Sequence, residues 1–344
     1  MQITSVLVLF DLISSGFCIF SSLGPISLIM IIFNKYISPS VVCAINRQNI
    51  ILKYGMRCHF RYKHRLSSSV ATIRHQRNNI RQLLVNDQHV FSHSGNELIL
   101  FNFYKNLLGT SSPSSLTFDL AGLFSHSSLD TTQAANLILP FHVSELKLAL
   151  LSMNCNASPG PDGFGPAFFK SFWDLTHQNL LSFISDFYAR KANLNSVNKS
   201  YIVLIPKKQG PCAPADYRPI SLQNCSTKIA SKALTTRLQP LIPFLVHNDQ
   251  SGFIKGRCIS ENFVYAADII QTCHKRKMPA IVLKLDFRKA FDTVNWNALD
   301  AVLAAKGFPQ LWHDWVLDLA TTSQSAVLLN GRHGRWIQFR RGLR

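Results

Sequence analysis

The stretch IVLKLDFRKAFDTVNW, residues 281 to 296, constrains the fold more than any other part of the sequence. Its first six residues alternate, so Ile281, Leu283 and Leu285 share one face of a strand, while Val282, Lys284 and Asp286 share the other. Asp286 then stands at the strand's C-terminal edge. A carboxylate at that edge suits a hard divalent cation, because Mg²⁺ takes one or two protein carboxylates and fills its shell with water and substrate phosphates. The plainer reading is a cap on the following helix, since Asp favours caps and turns. One carboxylate does not decide between them.

The surrounding pattern mixes strands and helices irregularly. YIVLIPKK (201–208) reads as a buried strand ended by Pro206, and a helix follows from about Ser226 to Leu238. A glycine-punctuated loop, DQSGFIKGR (249–257), leads into a helix from about Ser260 to Lys275. After the strand at 281–286, helices are predicted over Trp296–Lys306, closed by Gly307, and over Pro309–Ala320. SAVLLNGRHGRWIQF reads as a hairpin that turns at NGRHG. Upstream, apolar residues at helical spacing predict a helix over His64–Val85 with Arg74, Arg77 and Arg81 along an adjoining stripe. Residues 109–133, rich in Ser, Thr and Pro, read as a linker, and helices are predicted over Val143–Ser152 and Pro166–Tyr188. The fold class is α+β.

Charge narrows the partners. Lys and Arg total 36 against 18 Asp and Glu, a formal +18, which points first to nucleic acid and second to an anionic membrane surface. From Leu12 to Asn86 there are ten basic residues and no acidic one. Eight cysteines form no C-x-x-C pair, so neither a zinc knuckle nor a disulfide framework is supported and they read as reduced thiols. Residues 12–34 carry no charge, except that Lys35 follows directly, and are long enough to cross a bilayer or serve as a signal. An N-terminal extension without a membrane role explains them equally well.

The run LDFRKAFDTV resembles the first carboxylate box of reverse transcriptases, in particular those of LINE-type, plant-like non-LTR retrotransposons. Four further boxes lie upstream in the expected order: SPGPDG (158–163), IPKK (205–208), DYRPISL (216–222) and DQSGFIKGR (249–257). Downstream, the terminal RRGLR looks like the start of the next box. The resemblance implies a partial right-hand polymerase, fingers and the first part of the palm, behind a helical N-terminal extension. The expected organisation is a hydrophobic segment over 1–34 and a basic helical extension and linker over 35–145, both read from composition and charge, then helices before the fingers over 146–198 and, by the resemblance, the reverse transcriptase domain over 199–344.

By that resemblance Asp286 binds the catalytic Mg²⁺ ions and the backbone carbonyl of Phe287 touches one of them. Phe291 matches the sugar gate that excludes a 2′-hydroxyl. Lys207 and Arg218 match the fingers cations that hold the incoming dNTP, while Gln250, Gly252, Gly256 and Arg257 match the loop beside the template. Arg74, Arg77 and Arg81 would add phosphate contacts. The implied partners are an RNA template, a DNA primer and dNTP, with a membrane as partner if residues 12–34 insert; the family is expected in nucleus or cytoplasm. Asp162 is assigned no chemistry, and Asp292 reads as a hydrogen-bond acceptor at the start of a helix. The family carries further carboxylates in an aromatic-x-Asp-Asp hairpin, and these 344 residues contain no Asp-Asp pair. Primer extension by this polypeptide alone is therefore not expected. Two alternatives remain open: a non-catalytic nucleic-acid-binding relic and a membrane-anchored protein.

Overall fold

Alternation along residues 199–206 builds the strand around which the sheet forms. The structure, a computed structural model, describes residues 27–30, 78–85, 87–111, 119–283, 287 and 289–343. β1 (Ser27–Met30), β2 (Leu83–Val85) and β3 (Gln88–Val90) precede β4 (Lys199–Pro206), in which Ser200, Ile202 and Leu204 are buried and Tyr201, Val203 and Ile205 face outward. β5 (Tyr217–Gln223) pairs antiparallel with β4, matching Ile205 to Arg218 and Val203 to Ile220. β6 (Ala280–Leu283) belongs to another sheet, while β7 (Gln324–Leu329) runs parallel to β4 and β8 (Arg332–Gln338) returns antiparallel to β7. The sheet order is β5-β4-β7-β8. The β7–β8 turn falls on Asn330 and Gly331, both with positive φ (50° and 85°), as the tightest hairpin turn requires.

Helices cover the inner side. α1 (His93–Leu108), α2 (Leu120–Phe124), α3 (Thr131–Leu137) and α4 (Val143–Leu151) come first, then α5 (Pro166–Ser171), α6 (Trp173–Tyr188) and α7 (Leu194–Val197). After β5 follow α8 (Cys225–Leu238), α9 (Ile242–Leu245) and α10 (Ile259–Lys275); α11 (Trp296–Ala305) and α12 (Gln310–Thr321) precede β7. Trp312 and Trp315 of α12 are fully buried and pack with Leu299, Leu303, Ile242, Leu245 and Phe187. A second cluster joins α4, α6 and α8, where Ala230 and Ala233 are small enough to let Leu146 and Leu150 approach. Gly307 ends α11 at φ 74°, where an added Cβ would meet the Leu129 carbonyl at 2.9 Å.

The contacts divide the chain into two compact units. Of the described residues, one unit holds those within 81–265 and 289–343, and the other those within 27–80 and 266–287, so α10 crosses the division. In the second unit β1 and β6 pair in parallel, Ser27 opposite Ala280 and Met30 opposite Leu283.

Four expectations need correction. The helix expected through Val85 does not reach it, because residues 83–85 form a strand: β2 pairs with β3, and the Leu84 amide donates to the Cys212 carbonyl at 2.7 Å. The expected linker over 109–133 contains α2 and the start of α3. Asp119 caps the first, and Asp130 with Gln133 makes a reciprocal capping box on the second, a local signal stronger than the Ser/Thr composition. Within the uncharged run at 12–34, residues 27–30 are a paired strand rather than part of a spanning helix. The rest of that run lies outside the described residues, among which no helix is long and apolar enough to cross a membrane. The helix expected over Pro166–Tyr188 is broken at Phe172, where α6 restarts as the Leu175 and Thr176 amides donate to the Phe172 carbonyl. The five described cysteines are free thiols, as expected.

Candidate nucleotide and nucleic-acid site

The β4–β5 pair carries two of the expected site residues to its open end. Lys207 directly follows β4, and Arg218 is the second residue of β5, exposed opposite Ile205. The connection between them is stiff. The Lys207 amide donates to the Asp216 carbonyl at 2.8 Å, and its ammonium donates to the Ala215 carbonyl at 2.8 Å. Asp216 accepts from the Cys212 and Ala213 amides, each at 3.0 Å, and pairs with Lys208 at 2.9 Å. The backbone donor from Ala213, then Lys208, hold its carboxyl down at about 2. Burial pushes the neighbouring Tyr217 phenol up to about 12. Asp216 is thus a structural anion that fixes where two cations leave the sheet.

The loop at 249–257 is held from inside. Arg257 donates to the carbonyls of Val246, His247 and Gln250 and to Asn248 Oδ1, at 2.6–3.3 Å. Its guanidinium therefore closes the segment after α9. Gln250 Nε2 donates to the Gly252 carbonyl at 3.3 Å. Gly256 has φ 87° and Phe253, without glycine's freedom, has φ 62°. Phe253 is half exposed and meets Phe291 edge-on, ring centroids 6.0 Å apart.

Phe291 sits in a short 3₁₀ turn, Ala290–Thr293, and the RRGLR segment packs onto it. The Leu343 amide donates to the Phe291 carbonyl and the Gly342 amide to that of Val294, both at 2.8 Å. Gly342 has φ 82°, and a Cβ there would meet the Asp292 carbonyl oxygen at 2.6 Å. Trp296 Nε1 donates to the Gly342 carbonyl at 2.9 Å. The loop at 249–257, the turn carrying Phe291 and the segment at 340–343 thus come together in one unit. Asn295 caps α11, accepting from the Asn297 and Ala298 amides.

Other expected residues are placed elsewhere. Phe287 is half exposed and belongs to the second unit. Ile281 and Val282 of β6 are both about half exposed, so the alternation there does not mark one buried face. Asp286, Arg74 and Arg77 lie outside the described residues. Arg81 is exposed just before β2, and its carbonyl accepts from Asn96 Nδ2 at 3.3 Å. Among the described residues, no three His, Cys, Asp or Glu side chains gather to hold a metal ion.

Sequence reasoning missed Asn224. Buried between β5 and α8, it accepts from the Asp162 amide at 3.1 Å and donates to the Val197 carbonyl at 2.9 Å. A Cβ on Gly160 would collide with Asn224 and with the carbonyl carbon of Gln223. SPGPDG is therefore a turn seated on the β5–α8 junction, with Asp162 accepting from the Phe164 amide at 3.0 Å. An isolated Asn after a strand carries no sequence signal of that contact.

Comparison with known proteins agrees with the ordered boxes. Residues 205–344 match the family described as reverse transcriptase (RNA-dependent DNA polymerase). This part of the chain is similar to reverse transcriptases, and the relatives it matches are proteins of transposable elements. The chain is 29% identical over 205 residues to an uncharacterized 149 kDa protein of transposon TX1 from Xenopus laevis, covering 60% of this chain and 16% of that protein. It is 28% identical over 190 residues to the retrovirus-related Pol polyprotein of retrotransposable element R2DM from Drosophila melanogaster, covering 55% and 17%. The polyprotein of element R2 from Nasonia vitripennis is 27% identical over 145 residues, covering 42% and 14%. The chain thus spans less than a fifth of the length of these relatives.

Proposed function

We propose that residues 199–344 form the fingers and first part of the palm of a right-hand polymerase that copies RNA into DNA, preceded by the hydrophobic segment at 1–34, the basic extension at 35–145 and the helices at 146–198. The observation that carries this reading is the convergence of three boxes, with Phe253 edge-on to Phe291 and Gly342–Leu343 clamped beneath the turn that bears it. The three segments, distant in sequence, meet at the turn that bears the residue matched to the sugar gate.

In this reading Lys207 and Arg218 draw the triphosphate by charge-assisted hydrogen bonds, Arg218 through its planar fork and Lys207 as a point charge. The half-buried ring of Phe291 lies under the sugar, and its edge contact with Phe253 fixes the ring plane. Gln250, Gly252 and Gly256 line the template side, where Arg257 acts by holding the loop in shape. Phosphoryl transfer asks the protein chiefly for placement and charge neutralisation. Mg²⁺ would be held by Asp286 and the Phe287 carbonyl; the described residues do not by themselves compose a metal centre, and no step is routed through the ion.

Template–primer binding tests the reading. The polypeptide is expected to retain an RNA template annealed to a DNA primer, with affinity falling steeply as salt rises, and Arg218→Ala is expected to weaken dNTP-dependent retention. Retention indifferent to salt, or none at low salt, would refute it.

A further inference from the structure

The outer face of the β5-β4-β7-β8 sheet has no covering layer among the described residues of its unit, and its side chains are those of a stacking surface. Tyr201 of β4 lies nearly parallel to His333 (centroids 5.9 Å apart, 13° between planes) and to Trp336 of β8 (6.0 Å, 23°). Register explains how rings two strands apart can meet: Tyr201 pairs with Ala326 and Ala326 with Trp336, so only a methyl stands between them on β7. The Lys199 ammonium sits over the Trp336 ring at 5.4 Å. Arg218 and Ile220 continue the same face on β5, both exposed. None of the four strands contains an acidic residue; Lys199 and Arg218 stand on this face, while Arg335 pairs with Glu97 of α1.

From this face we infer a binding site for single-stranded nucleic acid, with successive bases stacking on Tyr201, His333 and Trp336 while Lys199 and Arg218 neutralise the backbone. Every base presents a π-face, so such a surface tolerates any sequence, and cations between the rings suit a polyanion that tracks across the strands. A duplex hides its base faces and gains nothing from the rings. An apolar protein segment would offer no counter-charge to the cations of this face. The polyanionic character of the ligand rests on the polymerase reading above, whereas the single-strand preference rests on the sheet alone.

The test uses the 344-residue chain, a fluorescent 12-nucleotide RNA of mixed sequence, and the same RNA annealed to its complement, with anisotropy read over a salt series. Trp336→Ala and Tyr201→Ala are each expected to weaken single-strand binding by about tenfold, with duplex and template–primer binding within about twofold of wild type. Ultraviolet crosslinking of the wild-type complex is expected to place RNA on peptides containing Tyr201 or Trp336, which decides the matter even if an alanine variant fails to fold; Trp336→Phe, retaining a ring, is expected to bind nearly normally. Unchanged single-strand affinity in a folded Trp336→Ala chain, crosslinks confined to other peptides, or a preference for duplex would each overturn the inference and leave the polymerase reading standing. Absence of all RNA binding would remove both.

Discussion

The turn at 158–165 and the open end of the β4–β5 pair lie in the same unit and each carries a sequence box, yet they use their polar groups in opposite ways. In the turn, Asp162, Asn224 and the backbone around Gly160 are engaged with one another across 62 residues of chain. At the β4–β5 end the inward-facing Asp216 is engaged in the same way, but Lys207, whose ammonium also donates to the Ala215 carbonyl, and Arg218 are exposed. The difference teaches that a box in a sequence marks a place where substitution is costly, and that the cost is as often scaffolding as chemistry. Arg257 makes the point most sharply, since its position suggests a phosphate ligand and its four partners belong to the chain itself.

The comparison can be broken from the closed side first. Gly160→Ala places a methyl against backbone that cannot yield, and is expected to destabilise by more than about 3 kcal/mol or to prevent folding; chemical denaturation with far-UV circular dichroism measures it, and a loss below about 1 kcal/mol would show the turn to be looser than described. Arg257→Ala removes several charge-assisted bonds to carbonyls and is expected to cost about 2 kcal/mol, while the folded variant keeps its affinity for RNA. A tenfold fall in affinity without a fall in stability would return Arg257 to the binding surface.

Acid sharpens it next. The Asp216 carboxyl is held at about 2 in the folded chain, below the ordinary Asp range near 3.9. Its contribution to stability is therefore complete above about pH 4 and is lost as pH falls through about 2. Asp216→Asn is expected to flatten the stability-against-pH curve in that window and to leave the curve above pH 5 parallel to wild type. From the open side the expected effect is smallest on the fold: Lys207→Ala should change stability by no more than about 0.5 kcal/mol and lower the slope of log affinity against log salt by about 1. A large loss of stability there would erase the contrast.

Much of the fold was legible because its signals are local. The alternation in YIVLIPKK, the Gly307 stop and the Asn-Gly turn each fixed an element within a few residues of where it lies. Helices hidden in the Ser/Thr-rich stretch were misread because capping pairs such as Asp130 and Gln133 were outweighed by composition. Leu83–Val85 became a strand by pairing with Gln88–Val90, and the Leu84 amide adds a bond to the distant Cys212 carbonyl that periodicity cannot foresee. At the candidate site, the boxes and their order were legible, and Phe291 was singled out. Its contact with Phe253, the role of Asn224 and the inward turn of Arg257 depend on residues distant in sequence meeting in space. Those contacts leave no pattern within a short window.

The central claim is that this chain supplies the nucleotide-holding part of an RNA-copying polymerase, with Asp286 as its first carboxylate. The most direct measurement joins residues 1–344 to a relative's segment carrying the paired aspartates and follows extension of a DNA primer on an RNA template with Mg²⁺ and dNTPs. The account predicts extension that Asp286→Asn lowers by more than about a thousandfold, a barrier change of roughly 4 kcal/mol, that Asp292→Asn largely spares, and that Phe291→Val opens to ribonucleotides. Extension that continues undiminished in the folded Asp286→Asn protein would contradict it.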